Sequence, residues 1–215
     1  MQTPPPPASL AAELVRIHDR VDHALAEQRI ILRLSDDPTL SRAVVRRLPP
    51  RVARDVADDV IAHRELARLT PPRPLSAFRV GAAAPAPKLL AWYREGERRS
   101  GIAWQTLAAI NYVESDFGRM REASVAGAQG PMQFMPSTWA AYGRGDVHDP
   151  HQAILAAARF LRAARGSLYR YNPSTAYVDA VRRYAARIRR NSKVFRVFYA
   201  RRLIVRTPAG YRRLT

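Results

Sequence analysis

No cysteine occurs in the chain, which excludes a disulfide framework and a cysteine nucleophile while leaving the cellular compartment open. Lysine is almost as scarce. Lys88 and Lys193 stand alone, so the formal net charge of +18 comes nearly all from arginine. Such an excess calls for an anionic partner or surface, with nucleic acid, anionic lipid and acidic wall polymer all qualifying. Acidic residues stop at Asp179, whereas Arg182, Arg183, Arg187, Arg189, Arg190, Lys193, Arg196, Arg201, Arg202, Arg206, Arg212 and Arg213 follow. Residues 191–215 therefore read as a basic C-terminal extension suited to anionic cell-wall polymers. No apolar run approaches the ~20 residues of a membrane span, so no transmembrane segment is expected. The opening MQTPPPPASL lacks the charged and apolar regions of a secretory signal, which has been removed or was never present.

What is present is enough for a packed core: 215 residues, 47% of them hydrophobic, hold one full domain and a smaller helical unit. In residues 8–69, Leu10, Leu14, Ile17, Val21, Leu25, Gln28 and Leu32 recur every three or four positions, the stripe of one long amphipathic helix. PTLSRAVVRRL and PRVARDVADDVIAHRELARL, each opening on proline, supply partner helices. His18, His23 and His63 fall here without a second ligand type at metal spacing, so they are expected on solvated helix faces and no metal is expected.

Residues 70–86, rich in Pro and Ala, read as an extended linker, after which residues 87–190 form a second, mainly α-helical unit. The helices before Thr70 are expected to be separable from it. LLAWYREGERRSG, IAWQTLAAINYVESDFG, DPHQAILAAARFLRAA and STAYVDAVRRYAARIRR are its helices. Asp149 is the N-cap of the third, Pro150 its first residue, and Gln152 completes a capping box. RRLIVRTPAGYRRLT has a β-branched run and a Pro-Ala-Gly turn, which points to a small terminal β-hairpin.

On the second of these helices Leu107, Ile110, Glu114 and Phe117 follow three- and four-residue steps, which puts Glu114 on the apolar face. Desolvation and the negative end of the helix dipole both raise its pKa, making a proton donor near neutral pH; a buried ion pair with an arginine is the competing reading. SVAGAQGPMQFMPSTW, from Ser124, lets the backbone turn at Gly127 and Gly130 and offers the amide of Gln133 among Met132, Phe134 and Met135. An N-acetylated sugar needs that mixture of amide and apolar surface, although a Gly-rich loop capping a core would use the same residues.

Glu114-Ser115, the S..GA.GPMQFMPSTW run, and Tyr171-Asn172 followed by Tyr177-Val178 together resemble the lytic transglycosylase domain of glycoside hydrolase family 23, the SLT type. The resemblance covers about Pro87 to Arg190 and is closest in style to secreted actinobacterial members. It implies a lysozyme-like fold with a deep cleft for peptidoglycan glycan strands, an extracytoplasmic location, and Glu114 as the catalytic residue. By the same resemblance, Ser124, Gln133, Met135, Tyr171 and Asn172 bind substrate, and Ser115 and Tyr177 support the site; Met132 joins the substrate-binding set for its adaptable apolar side chain. The connection from Leu161 through RAARGSLYRYN is shorter than the family pattern before its tyrosine.

Most glycosidases need two carboxylates, yet Asp116 points to another helix face and Asp149 is a cap. One acid suffices when the substrate's 2-acetamido oxygen assists, as the resemblance implies, and closure of a 1,6-anhydroMurNAc ring then needs no metal or organic cofactor. A lysozyme-like muramidase, using the same acid and water, is the near alternative. A nonenzymatic wall-binding or nucleic-acid-binding module is the distant one; no nucleic-acid signature is present, so nucleic acid is not expected.

Overall fold

The computed structural model describes residues 5–214. Four helices make up the N-terminal region: α1 (Pro7–Ile17), α2 (Ala24–Asp36), α3 (Pro38–Val45) and α4 (Pro50–Leu69). Proline begins α1, α3 and α4, where a missing N–H costs nothing. Asp37 caps α3, its Oδ1 accepting from the backbone N–H of Thr39 and Leu40 at 2.9 Å. Leu10, Leu14, Ile17, Ile31, Leu34, Val44, Val56 and Val60 close a small core.

The long helix expected from Leu10 to Leu32 is broken. It ends at Ile17, turns through Asp19 at φ 57°, makes a 3₁₀ turn at Val21–His23 and restarts as α2. The physical reason lies far along the chain. Asp19 is turned to accept from Arg187 at 2.7 Å and from the amide of Asn191 at 2.9 Å. The histidine expectation also fails at His18, whose side chain is 8% exposed and lies 2.9 Å from Glu27. His63 is half-buried against the Tyr211 hydroxyl, at 3.1 Å.

Residues 70–85 are largely irregular, with one 3₁₀ turn at Leu75–Ala77. They are tied down along their length: Arg73 N–H to Arg206 O at 3.2 Å, Gly81 N–H to Arg119 O at 2.9 Å, and Arg121 N–H to Arg79 O at 2.8 Å.

The larger core is built from α5 (Ala86–Ser100), α6 (Trp104–Ser115), α7 (Pro136–Tyr142), α8 (Pro150–Ala163), α9 (Leu168–Tyr171), α10 (Thr175–Arg190) and α11 (Val194–Ala200). α5 and α8 approach closely because α8 turns Ala153, Ala156, Ala157 and Ala158 inward and α5 answers with Gly96. A Cβ at Gly96 would stand 3.3 Å from the Ala158 Cβ of α8 and would also displace the Leu107 side chain of α6. Asp149 caps α8 as expected, accepting from Gln152 N–H at 2.8 Å. The box does not close on Asp149, since the Gln152 side chain accepts from Asp146 N–H instead.

The segment after Asn191 is more than a basic tail. α11 buries Val194, Phe195 and Phe198 in the larger core, Val197 is buried beside them, and Arg201 is buried just after the helix. The terminal hairpin is present: β1 (Ile204–Thr207) pairs antiparallel with β2 (Gly210–Arg213), Val205 opposite Arg212.

Candidate active site

Glu114 is the penultimate residue of α6. The helix stops sharply, because Asp116 (φ 49°), Phe117 (φ 62°) and Gly118 (φ 84°) adopt left-handed backbone in succession. Two non-glycine residues in that region store strain, which the fully buried Phe117 ring and its N–H bond to Asn111 O at 3.1 Å hold in place. Ser115 faces inward. Its Oγ donates to Pro131 O at 2.6 Å and accepts from Gly118 N–H at 2.8 Å, joining the helix end to the loop that follows.

That loop is tight and defined. Gln129 and Phe134 exchange both backbone hydrogen bonds, at 2.9 and 2.8 Å, around Gly130-Pro131-Met132-Gln133. Gly130 has φ 75°, and a Cβ there would meet Val147 O at 2.1 Å. Gln133 takes φ 47°, unusual for a side-chain-bearing residue, and its Nε2 donates to Gly130 O at 3.0 Å. Ser124 organises the preceding turn, its Oγ accepting from Ala128 N–H at 2.9 Å.

The Glu114 carboxyl is half-buried. Loss of hydration pushes its pKa up to about 7, and a hydrogen bond from the Tyr177 hydroxyl to Oε1, at 2.6 Å, opposes that rise. Among the described residues no charged group perturbs it, so the ion-pair reading does not apply. Tyr177, expected in a supporting role, is thus the glutamate's direct partner. Tyr171 shares the environment, its own titration raised by burial and then by the Glu114 charge. Its hydroxyl donates to Met132 O at 2.7 Å, and its ring lies 6.0 Å from Phe134 and 5.5 Å from Phe160.

The other expected site residues divide by exposure. Met135 is exposed, and Gln133, Ser124 and Asn172 are half-buried. Met132, expected at the cleft surface, has no exposed side chain; it is packed into the core, and what it offers the site is the carbonyl that holds Tyr171. Asp116 is buried and paired with Arg119 at 3.3 Å, its pKa raised to about 6 by burial. Cavities of about 530, 340 and 230 Å³ lie elsewhere, between α2 and the hairpin and around Arg99, Arg144 and Arg159.

Asn111 and Tyr93 went unnoticed in the sequence. Tyr93 OH donates to Asn111 Oδ1 at 2.6 Å, and Asn111 Nδ2 donates to Pro131 O at 2.7 Å, so this buried pair fixes α6 against α5 and the loop. Asn111 stands four residues before Ser115, on the same helix face, the one signal that could have found it. Among the described residues, His18, Asp19 and Asp55 bring ligand atoms within 4.8 Å of one another. Arg187 and Arg190 already occupy these carboxylates, which makes the group an ion cluster.

Residues 92–193 match the family model described as the Transglycosylase SLT domain. Over 82 residues, 38% of this chain, the sequence is 34% identical to the membrane-bound lytic murein transglycosylase F of Thiobacillus denitrificans, and it spans 17% of that protein's length. No solved structure matches the chain. Among the described residues no helix is long and apolar enough to cross a membrane. The matched residues include α6, the glutamate, the Gly130 loop and α10. Residues 92–193, a helical unit that holds both Glu114 and Tyr177, are thus similar to the transglycosylase SLT domain.

Proposed function

We propose that the chain is a peptidoglycan lytic transglycosylase that cleaves the β-1,4 bond between MurNAc and GlcNAc and leaves 1,6-anhydroMurNAc. The observation that carries this reading is the setting of Glu114: a carboxyl raised to about 7 by lost hydration, bonded to one neutral hydroxyl, with no second carboxylate among the described residues perturbing it. Near neutral pH such a group is protonated and ionised in comparable amounts, which suits one residue to both halves of the reaction. The match of residues 92–193 and the similarity to a lytic murein transglycosylase support the substrate class.

Glu114 first gives its proton to the glycosidic oxygen. The C1–O bond breaks, GlcNAc departs, and the 2-acetamido oxygen of MurNAc bonds to C1. The Glu114 carboxylate then removes the proton from the C6 hydroxyl of the same sugar, and O6 displaces the acetamido oxygen at C1. The ring closes and Glu114 is again protonated. Tyr177 orients the carboxyl, while Gln133, Met135, Ser124 and Asn172 border the sugar and the Tyr171 ring backs the loop. Met132 contributes through its carbonyl.

This reading places the chain outside the cytoplasm, where peptidoglycan lies, with residues 87–190 carrying the catalytic groups. Contact with anionic wall polymers would fall to the exposed Lys193, Arg196, Arg202, Arg212 and Arg213, since Arg201 is buried and Arg206 binds the carbonyls of Ala67 and Thr70. The experiment is Glu114→Gln on purified peptidoglycan. General acid–base catalysis is worth roughly 10²–10⁴-fold per group, and cleavage should fall at least that far with a native circular dichroism spectrum. A native-like variant that still cleaves well would assign the chemistry to another acid.

A further inference from the structure

The hydrogen-bonded residues Glu114 and Tyr177 sit on different helices, α6 and α10, so something must keep those helices in register. Among the described residues two carboxylates outside the SLT-matched residues reach the supports of both: Glu27 of α2, 3.4 Å from Arg187 and 3.7 Å from Arg201, and, closer to each, Asp59. Asp59, on α4, is fully buried, and its Oδ2 accepts from Arg187 of α10 and from Arg201, just past α11. Arg201 in turn donates to the Tyr112 hydroxyl of α6 at 3.3 Å, two residues before Glu114. Arg187 lies on the helix whose first turn carries Tyr177.

The space between is filled by rings. Tyr112 stacks on Phe117 at 5.2 Å and on Phe198 at 5.1 Å, and meets Tyr184 of α10 edge-on at 5.0 Å. Both guanidiniums lie over the Phe198 ring, at 4.5 Å for Arg201 and 5.2 Å for Arg187. Outside this knot α10 is bound to α4 by further ion pairs: Arg183 to Asp58 at 2.8 Å, and Arg190 to Asp58 at 2.6 Å. Buried arginines need such partners, since a buried guanidinium without one costs several kcal/mol.

We infer that Asp59 is a positioning residue for the Glu114–Tyr177 pair, and that the N-terminal helices complete the catalytic unit by holding α6 and α10 in register. This rests on the functional reading above for its effect on rate. The geometry it invokes is testable without turnover. A residue that keeps α10 in place keeps the Tyr177 hydroxyl on Glu114. Slackening that contact removes the interaction that, among the described residues, favours the ionised carboxyl over burial.

The test is a carboxyl ¹³C NMR titration of Glu114 in the full chain, with kcat and KM measured beside it. Facing Glu114 are Tyr177 from α10 and Tyr171 from α9, neither charged near neutral pH; facing Asp59 are Arg187, Arg201, Glu27, Tyr112, Tyr184 and His63. Asp59→Asn should move the Glu114 midpoint upward by about one unit, the value of one hydrogen bond to a charged group, and lower kcat about tenfold with KM little changed. Combined with Tyr177→Phe it should add nothing further, because both changes remove the same contact.

Val56→Ala, which loosens the N-terminal core without touching the knot, should lower stability and leave the midpoint in place. Where Asp59→Asn does not fold, Tyr112→Phe removes the hydroxyl linking Arg201 to α6 and should shift the midpoint in the same direction. An unchanged midpoint in the folded variants, or a shift additive to that of Tyr177→Phe, overturns the proposal. Inactive wild-type protein with the predicted midpoint shifts would overturn the functional reading and leave the positioning intact.

Discussion

The Tyr177 hydroxyl donates a 2.6 Å hydrogen bond to Glu114 Oε1, linking the start of α10 to the end of α6 across 63 residues of sequence. Its consequence is electrostatic: among the described residues it is the contact that favours the ionised carboxyl against burial. Tyr177→Phe should therefore raise the Glu114 pKa above about 7, so that the alkaline limb of the pH profile for peptidoglycan cleavage moves upward, by about one unit on the usual worth of a hydrogen bond to a charged group. A limb that stays in place or moves down would show that the hydroxyl serves the fold rather than the carboxyl.

The same raised pKa makes Glu114 a cost to the fold once it ionises. Its folded value, about 7, lies above the ordinary 4.5, so the folded state binds the proton more tightly and stability declines as pH rises from 4.5 through 7. Glu114→Gln removes that cost. Its melting temperature should exceed wild type by several degrees at pH 8 and by much less at pH 4.5, a change readable by calorimetry.

Charge at the interface of α1, α2, α4 and α10 has the opposite sense. Burial lowers the His18 pKa, but hydrogen bonds to Asp55 and Glu27 outweigh it and raise the group from 6.5 to about 9. Its stabilisation is complete below 6.5 and lost as pH rises through 9. Burial raises Glu27 and Asp55, yet His18 and the arginines hold both at about 2, so their stabilisation is complete above 4.5 and lost as pH falls through 2. Urea unfolding across pH should show this cluster at full strength between about 4.5 and 6.5. His18→Gln should flatten the decline above 6.5; an equally steep decline would assign it to other groups.

Two glycines of the site loop should respond differently to one methyl group. Gly130→Ala meets both a left-handed backbone and the Val147 carbonyl at 2.1 Å, whereas Gly127→Ala meets only the left-handed backbone, with nothing within 4 Å. Gly127→Ala should cost about 1 kcal/mol, and Gly130→Ala several times as much, with loss of the Gln129–Phe134 pairing. Comparable melting temperatures would mean that Val147 yields.

Helices with a proline or capped start and a clean apolar period, such as α4 and α10, were legible in the sequence, as was Glu114 on the apolar face of α6. What escaped was set by distant partners. The stripe through α1 and α2 gives no hint of a break, because the break serves Arg187, 168 residues away. Asp59 lies in a run, ADDV, that looks like a solvated face, until Arg187 and Arg201 arrive from the far end of the chain. α11 was hidden by Arg196 and the flanking Lys193, Arg201 and Arg202, which read as a basic tail unless a core is there to receive the rings of Phe195 and Phe198. Met132 was placed at the cleft on its chemical type, which says nothing of which way a tight turn points it.

The central claim is that one carboxyl, placed at Glu114 with no second carboxylate acting on it, both cleaves the glycan and closes the ring. Mass analysis of the products of purified peptidoglycan, before and after borohydride, tests it most directly. The tethered C6 hydroxyl has the advantage of proximity over free water, so the account predicts ends of 1,6-anhydroMurNAc, lighter than hydrolysed ends by one water, about 18 Da, and inert to reduction. A digest dominated by reducible MurNAc ends would contradict it and make the chain a muramidase. No cleavage at all by folded protein would leave a wall-binding module.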